Sequence, residues 1–212
     1  MPRSNGPSSG LFDLWSRFYD APLVQRVTYR PEQNAVLAAL RAKPPRRMLD
    51  VGCGTGQLAA RARRELPGAE AVGCDFSRGM LRRAAARGPG VGWTRGDALH
   101  LPFADASFDA LVSTEAFHWF PDKPAALAEF FRVLGPGGCL HVAVVNAPLE
   151  AVGRALEGAS RFLGEPFLFP TSLQMRRWVE GAGFHVAAQR RILRLPLPFS
   201  FPSVLTEAVR PV

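Results

Sequence analysis

Met48–Leu49–Asp50–Val51–Gly52–Cys53–Gly54–Thr55–Gly56 decides the fold of this chain: a short apolar strand runs straight into three glycines spaced by two, and a helix follows from Gln57. Glycine lets a backbone turn tightly and approach a ligand closely, while a helix start presents free N–H groups and a partial positive charge. A partly anionic group therefore suits the loop. A dinucleotide fingerprint requires GxGxxG, and here Gln57 stands where the third glycine of that pattern would fall, so nicotinamide or flavin binding is disfavoured. No GxxxxGK[ST] run occurs either, which removes the phosphate anchor of a kinase or ATPase.

Working outward, strands are expected at 46–51, 69–75, 91–95, 108–113 and 139–145, with helices at 57–66, 77–87 and 123–133 between them. Strand, helix, strand repeated implies a parallel sheet covered on both faces. The fold class is α/β, a Rossmann-like doubly wound, mostly parallel sheet in a three-layer sandwich. Residues 1–10 are polar and rich in Ser, Pro and Gly and read as a flexible tail, not a signal peptide. The rest, 11–212, reads as a single domain: N-terminal capping helices at 11–45, broken at Pro22 and Pro31, a cofactor-binding core at 46–145, and a substrate-side region with the last strands at 146–212. In that region helices are expected at 149–162 and 172–182 and a strand at 184–193. Pro196, Pro198 and Pro202 would remove ladder donors, so a strand at 195–202 is an edge or is absent.

With 212 residues the chain can bury roughly 70–75% of its unfolded surface without a disulfide or metal staple. Its three cysteines, Cys53, Cys74 and Cys139, form no CxxC pair and read as reduced, structural thiols. No apolar run approaches the ~18 residues of a membrane span, and a cytoplasmic protein is expected. The net charge of +8 is mostly arginine, in pairs such as Arg63/Arg64, Arg82/Arg83 and Arg176/Arg177 on expected outer helices. These read as solvated faces. A nucleic-acid patch is disfavoured because no aromatic residues interleave with them.

Two acids extend the glycine-loop reading. Asp75 ends the second strand, where a carboxylate can accept bonds from vicinal ribose hydroxyls; capping of the next helix by Asp75 or Ser77 is the structural alternative. Asp97, in Gly96–Asp97–Ala98–Leu99 after the third strand, suits an adenine edge but is also an ordinary turn residue.

Together these stretches resemble the class I S-adenosylmethionine-dependent methyltransferases, in the small-molecule branch called type 11. The matching pieces are LDVGCGTG at 49–56, GCDFSRGML at 73–81, GDALHLPFADASFDALVST at 96–114, FHWF at 117–120 and RVLGPGG at 132–138. The resemblance implies S-adenosylmethionine as cofactor and S-adenosylhomocysteine as product. It places the loop Gly52, Cys53, Gly54, Thr55 and Gly56 along the methionine part, with Asp50 orienting the ammonium and Asp75 on the ribose. Phe76 and Met80 would flank the adenine, Asp97, Ala98 and Leu99 would meet its exocyclic amine, and Thr114 would lie beside the methionyl chain. Tyr19 is similar to a tyrosine brought over the cofactor from an N-terminal helix, with a core role as the alternative. The family's sheet ends in an antiparallel hairpin, of which only the first strand is legible, leaving open an incomplete hairpin or a partner on an exposed sheet edge.

The implied chemistry is in-line displacement of a methyl group onto an O, N or C nucleophile of a small molecule. His118 and Glu115, just beyond the fourth strand, are the candidate general bases; packing against Trp119 and Phe120 is the other reading of His118, and His141 reads as core. The (D/N)PP(Y/F) run of base-amino methyltransferases is missing at Ser113–His118, and no carboxylate cluster for magnesium stands at that edge, so no metal is expected. Aromatic residues Phe117, Trp119, Phe162, Phe167 and Phe169 suit an apolar acceptor pocket or the core. A catalytically silent cofactor-binding subunit and an RNA-directed enzyme are the competing functions, and a monomer or homodimer is expected.

Overall fold

The first strand, β1 (Arg47–Val51), is buried on both faces, which is why its sequence is apolar throughout and not alternating. It lies inside a seven-stranded sheet with β2 (Glu70–Asp75), β3 (Val91–Arg95), β4 (Phe108–Thr114), β5 (Leu134–Val145), β6 (His185–Ile192) and β7 (Ser203–Val209), in the order β3-β2-β1-β4-β5-β7-β6. Strands β1 to β5 pair in parallel, while β7 runs antiparallel to both of its neighbours. The computed structural model describes residues 29–162, 168–193 and 202–212. The expected tail at 1–10, the first of the capping helices with Tyr19 and Pro22, and Phe167 lie outside them.

Three of the described helices begin on a side-chain cap. In α1 (Arg30–Ala42) Pro31 occupies the first turn, so a helix starts at the expected break. Helix α2 (Gln57–Glu65) follows Gly56; in α3 (Arg78–Ala85) the Ser77 Oγ accepts from Met80 N, and in α4 (Lys123–Val133) the Asp122 carboxylate accepts from Ala125 N. Helix α5 (Glu150–Phe162) comes next, and α6 (Ser172–Gly181) opens on a capping box of Thr171 and Gln174.

Two cores make three layers. On one face Leu49, Val51, Leu111, Leu140 and Val142 pack with Leu127 and Phe130 of α4 and Met175 and Val179 of α6. On the other, Met48, Ala110, Val112, Ala143 and Leu205 pack with Val36, Leu37 and Leu40 of α1 and Leu58 and Ala62 of α2.

The sheet departs from expectation at two places. Strand β5 begins at Leu134, not 139: Leu134 pairs with Phe108, and the ladder then shifts register between Phe108 and Ala110. Gly137, at φ +74°, turns this stretch, and its N–H donates to Arg210 O. The second hairpin strand is β7, seated between β5 and β6. It starts just after Pro202, so proline removes no donor from its ladder.

Candidate active site

Strands β1, β2 and β3 wind one way from the centre of the sheet and β4 and β5 the other, so the order reverses between β1 and β4. At such a switch point the loops beyond the strand carboxyl ends part and leave a crevice. The loop after β1 and the Thr114–Glu115–Ala116 turn after β4 form its two sides. They meet closely at its base: a Cβ on Gly52 would stand 2.3 Å from the Ala116 Cβ.

Gly52, Gly54 and Gly56 all have positive φ, +70°, +54° and +76°. That conformation, more than space for an anion, explains their alternation. The loop's amides are largely occupied inside the protein. Gly52 N and Cys53 N both donate to Cys74 O, Gly54 N donates to the Asp75 carboxylate at 2.8 Å, and Gly56 N donates to Cys53 O. The expectation that these N–H groups grip an anionic ligand is therefore corrected. The loop instead offers a backbone held close to the crevice. Below it, the Trp93 ring fills the space a Cβ would need at Gly56 (2.3 Å) and Gly73 (2.5 Å).

Asp50 and Asp75 lie on the same side of neighbouring strands, one in β1 and one at the end of β2. Asp75 accepts from Gly54 N and from Ser77 N at 2.9 Å, so it braces both the glycine loop and the start of α3. A carboxylate has about four acceptor sites, enough to take a ligand hydroxyl besides. The capping and ribose readings of this residue are thus compatible. Asp50 is different: it is 1% exposed, and neither carboxylate oxygen meets a hydrogen-bond donor among the described residues. Burial first, and then the Asp75 charge, push its carboxyl up to about 7; the Ala59 N–H, short of bonding geometry, pulls the other way. Burial also raises the Cys53 thiol, and it is the first cause pushing Cys74 up to about 12, so both remain protonated.

Phe76 is exposed at the crevice rim, 37% accessible despite its size, while Met80 is buried in the first turn of α3. Asp97 folds its own turn, with Oδ1 accepting from Leu99 N at 3.0 Å, beside buried Ala98 and half-buried Leu99. That long connection is held by Arg132, whose guanidinium donates to Leu101 O, Phe103 O, Asp105 and Glu129, while Glu129 accepts from Leu101 N.

Across the crevice, Thr114 closes β4 and Glu115 carries φ +53°, a strained value for a side-chain-bearing residue and a kind of outlier that clusters at functional sites. His118 lies in the 3-10 turn Phe117–Trp119, 2% exposed, with its ring centroid 5.2 Å from that of Trp119. Lys123 fastens this turn to α4 by donating to His118 O at 3.1 Å and to Phe120 O; burial pushes its ammonium down to about 8. Phe117 is fully buried among Phe120, Phe130 and Trp178, so it belongs to the core.

The described cofactor-site candidates gather at this one edge, while Tyr19 and, of the acceptor-pocket aromatics, Phe167 fall outside the described residues. Sequence reading missed Arg132, Lys123, Trp93 and Asp109, whose carboxylate accepts from Arg46 N and Arg47 N at the start of β1. Only Arg132 and Asp109 fall inside a recognisable motif. Among the described residues, no cluster of three His, Cys, Asp or Glu suits a metal ion and no helix is long and apolar enough to cross a membrane.

A doubly wound sheet with a glycine loop and two acids at its switch point is the architecture of the Rossmann-like methyltransferases. The family described as a methyltransferase domain, type 11, matches residues 49–142. Over 181 residues the chain is 38% identical to the demethylmenaquinone methyltransferase of Thermus thermophilus, covering 74% of this chain and 82% of that one. It is 34% identical over 182 residues to the malonyl-[acyl-carrier protein] O-methyltransferase of Methylococcus capsulatus, covering 81% of this chain and 63% of the relative. Among solved structures, a Haloferax volcanii putative methyltransferase in complex with the Trm112 activator superposes with a TM-score of 0.77 at 26% identity, over 95% of this chain and 98% of that one. The chain belongs to the class I S-adenosylmethionine-dependent methyltransferases, type 11 branch, and is a small-molecule methyltransferase.

Proposed function

We propose that the switch-point crevice takes S-adenosylmethionine with its methionine end against Asp50 and the glycine loop and its adenosine end against Asp75. The observation that carries this is Asp50. A fully buried carboxylate whose two oxygens meet no donor among the described residues calls for a cationic donor, and an α-ammonium is one. In this reading Gly52, Cys53, Gly54, Thr55 and Gly56 line the methionine chain opposite Thr114. Phe76 and Met80 bracket the adenine, Asp97, Ala98 and Leu99 meet its amine, and Tyr19 covers the site.

For the acceptor we propose a hydroxylated aromatic ring of quinol type, methylated at carbon, supported by the likeness to the demethylmenaquinone methyltransferase. Bound S-adenosylmethionine supplies a methyl carbon made electrophilic by its sulfonium. The chain's own task is to hold the ring in line and exclude water, worth about 7–11 kcal/mol, against roughly 3–5 kcal/mol for a general base. His118, or Glu115 beside it, takes the proton of the acceptor hydroxyl, which raises electron density at the neighbouring ring carbon; once methylated, that carbon gives up its own proton and the ring is restored as a hydroxylated aromatic. Calorimetric titration with S-adenosylhomocysteine should give saturable binding, and labelled methyl from S-adenosylmethionine should appear on a ring carbon of a 1,4-naphthoquinol. No heat from folded protein at millimolar ligand would refute the cofactor assignment; binding without transfer to quinols would refute the acceptor.

A further inference from the structure

Arg87 lies two residues beyond α3 and outside every motif of the family resemblance, yet its guanidinium returns to the glycine loop. Its Nε donates to Thr55 O and its Nη2 to Thr55 Oγ1 at 3.1 Å. Thr55 is fully buried and stands between two residues at positive φ, Gly54 and Gly56. The first half of the loop is tied to β2 by Cys74 O and the Asp75 carboxylate, while the Gly56 amide bonds back onto the loop, at Cys53 O. Three alternating glycines leave such a loop many conformations to lose, and a planar fork on a carbonyl and a hydroxyl of one residue selects among them.

We infer that Arg87 is a positioning residue for the cofactor: by clamping Thr55 from the end of α3 it holds the second half of the glycine loop in the shape that receives the amino-acid end of the ligand. This rests on the proposed placement of the methionine part along the loop. It implies a selective effect. The adenosine end is assigned to Asp75 and Phe76 of β2 and its edge, whereas the clamp falls on Thr55 in the loop, so losing it weakens ligands that carry an amino-acid tail and spares those that lack one.

The test compares S-adenosylhomocysteine with 5′-methylthioadenosine by calorimetry in wild type, Arg87→Met and Arg87→Lys, with thermal melts alongside. The expected result for Arg87→Met is about a tenfold loss for S-adenosylhomocysteine, or about 1.4 kcal/mol, with 5′-methylthioadenosine changed less than about twofold. Arg87→Lys, which keeps the charge but not the fork, falls between and decides the matter on the same criterion if Arg87→Met does not fold. Unchanged S-adenosylhomocysteine affinity, or equal losses for both ligands, overturns the inference while leaving the cofactor assignment standing. Wild type that binds neither ligand sinks both.

Discussion

Replacing Asp50 with Asn should change how the stability of the ligand-free protein depends on pH. In the unfolded chain this carboxyl ionises near 3.8, and in the folded protein at about 7. Between those values the folded state holds a proton that the unfolded state has lost, so stability falls as pH rises through the window. That rise, from near 3.8 to about 7, corresponds to a loss on the order of 4 kcal/mol, complete above about pH 7 and absent below about pH 4. That is a large part of the roughly 5–15 kcal/mol that holds a typical domain together. The asparagine side chain keeps the volume and cannot ionise; its unpartnered amide lowers stability by a pH-independent amount. His141 works in the opposite sense: burial, then Arg190 and Lys43, push its imidazole down to about 4, so its contribution is lost as pH falls from 6.5 toward 4. Both proteins share that slope, and it cancels in their difference. Urea unfolding from about pH 4.5 to 8.5 reads the effect directly, as a stability difference that moves toward the Asp50→Asn variant by about 2–4 kcal/mol with rising pH. Parallel pH profiles would show that Asp50 does not carry the buried charge described here.

Other substitutions separate binding, turnover and architecture. His118→Ala should lower turnover and leave S-adenosylhomocysteine affinity intact; unchanged turnover removes His118 from the chemistry. Arg132→Ala takes away the donors that hold Leu101, Phe103 and Asp105, and should cost about 2–3 kcal/mol in thermal or urea unfolding. Gly56→Ala drives a Cβ into the Trp93 ring at positive φ and should destabilise by about 2–4 kcal/mol. Trp93→Leu in the same chain should recover part of that loss, and additivity of the two substitutions in a double-mutant cycle would contradict the contact.

The parallel half of the sheet was legible because its signals are local. Apolar runs bounded by glycine and capped helices gave strands β1 to β4 to within a residue or two. Strand β7 escaped notice for a physical reason: Ser203 to Thr206 are buried on both faces, so no period-two alternation marks it, and the prolines before it argue against a strand. The site residues were legible as a set, since Asp50, Asp75 and the glycines lie within 26 residues of each other. Their electrostatics were not. Sequence does not reveal that, among the described residues, Asp75 has donors while Asp50 has none, nor that the Gly52 and Cys53 amides already have a partner, because Cys74 O becomes their acceptor only when β2 comes to lie beside β1.

The seat of β7 has a consequence for how the molecule is made. Strand β7, synthesised after both of its neighbours, enters between β5 and β6, pairing with both along its whole length. Until the ribosome has released residues 203–209, β6 has no place in the sheet and β5 presents a bare flank of unpaired amides and carbonyls. A nascent chain therefore assembles its ligand crevice, from β1, β2 and β4, well before it can close its other side. The interval between those events is when aggregation and chaperone capture compete with folding, and a stop codon just before Ser203 would make that vulnerable state permanent.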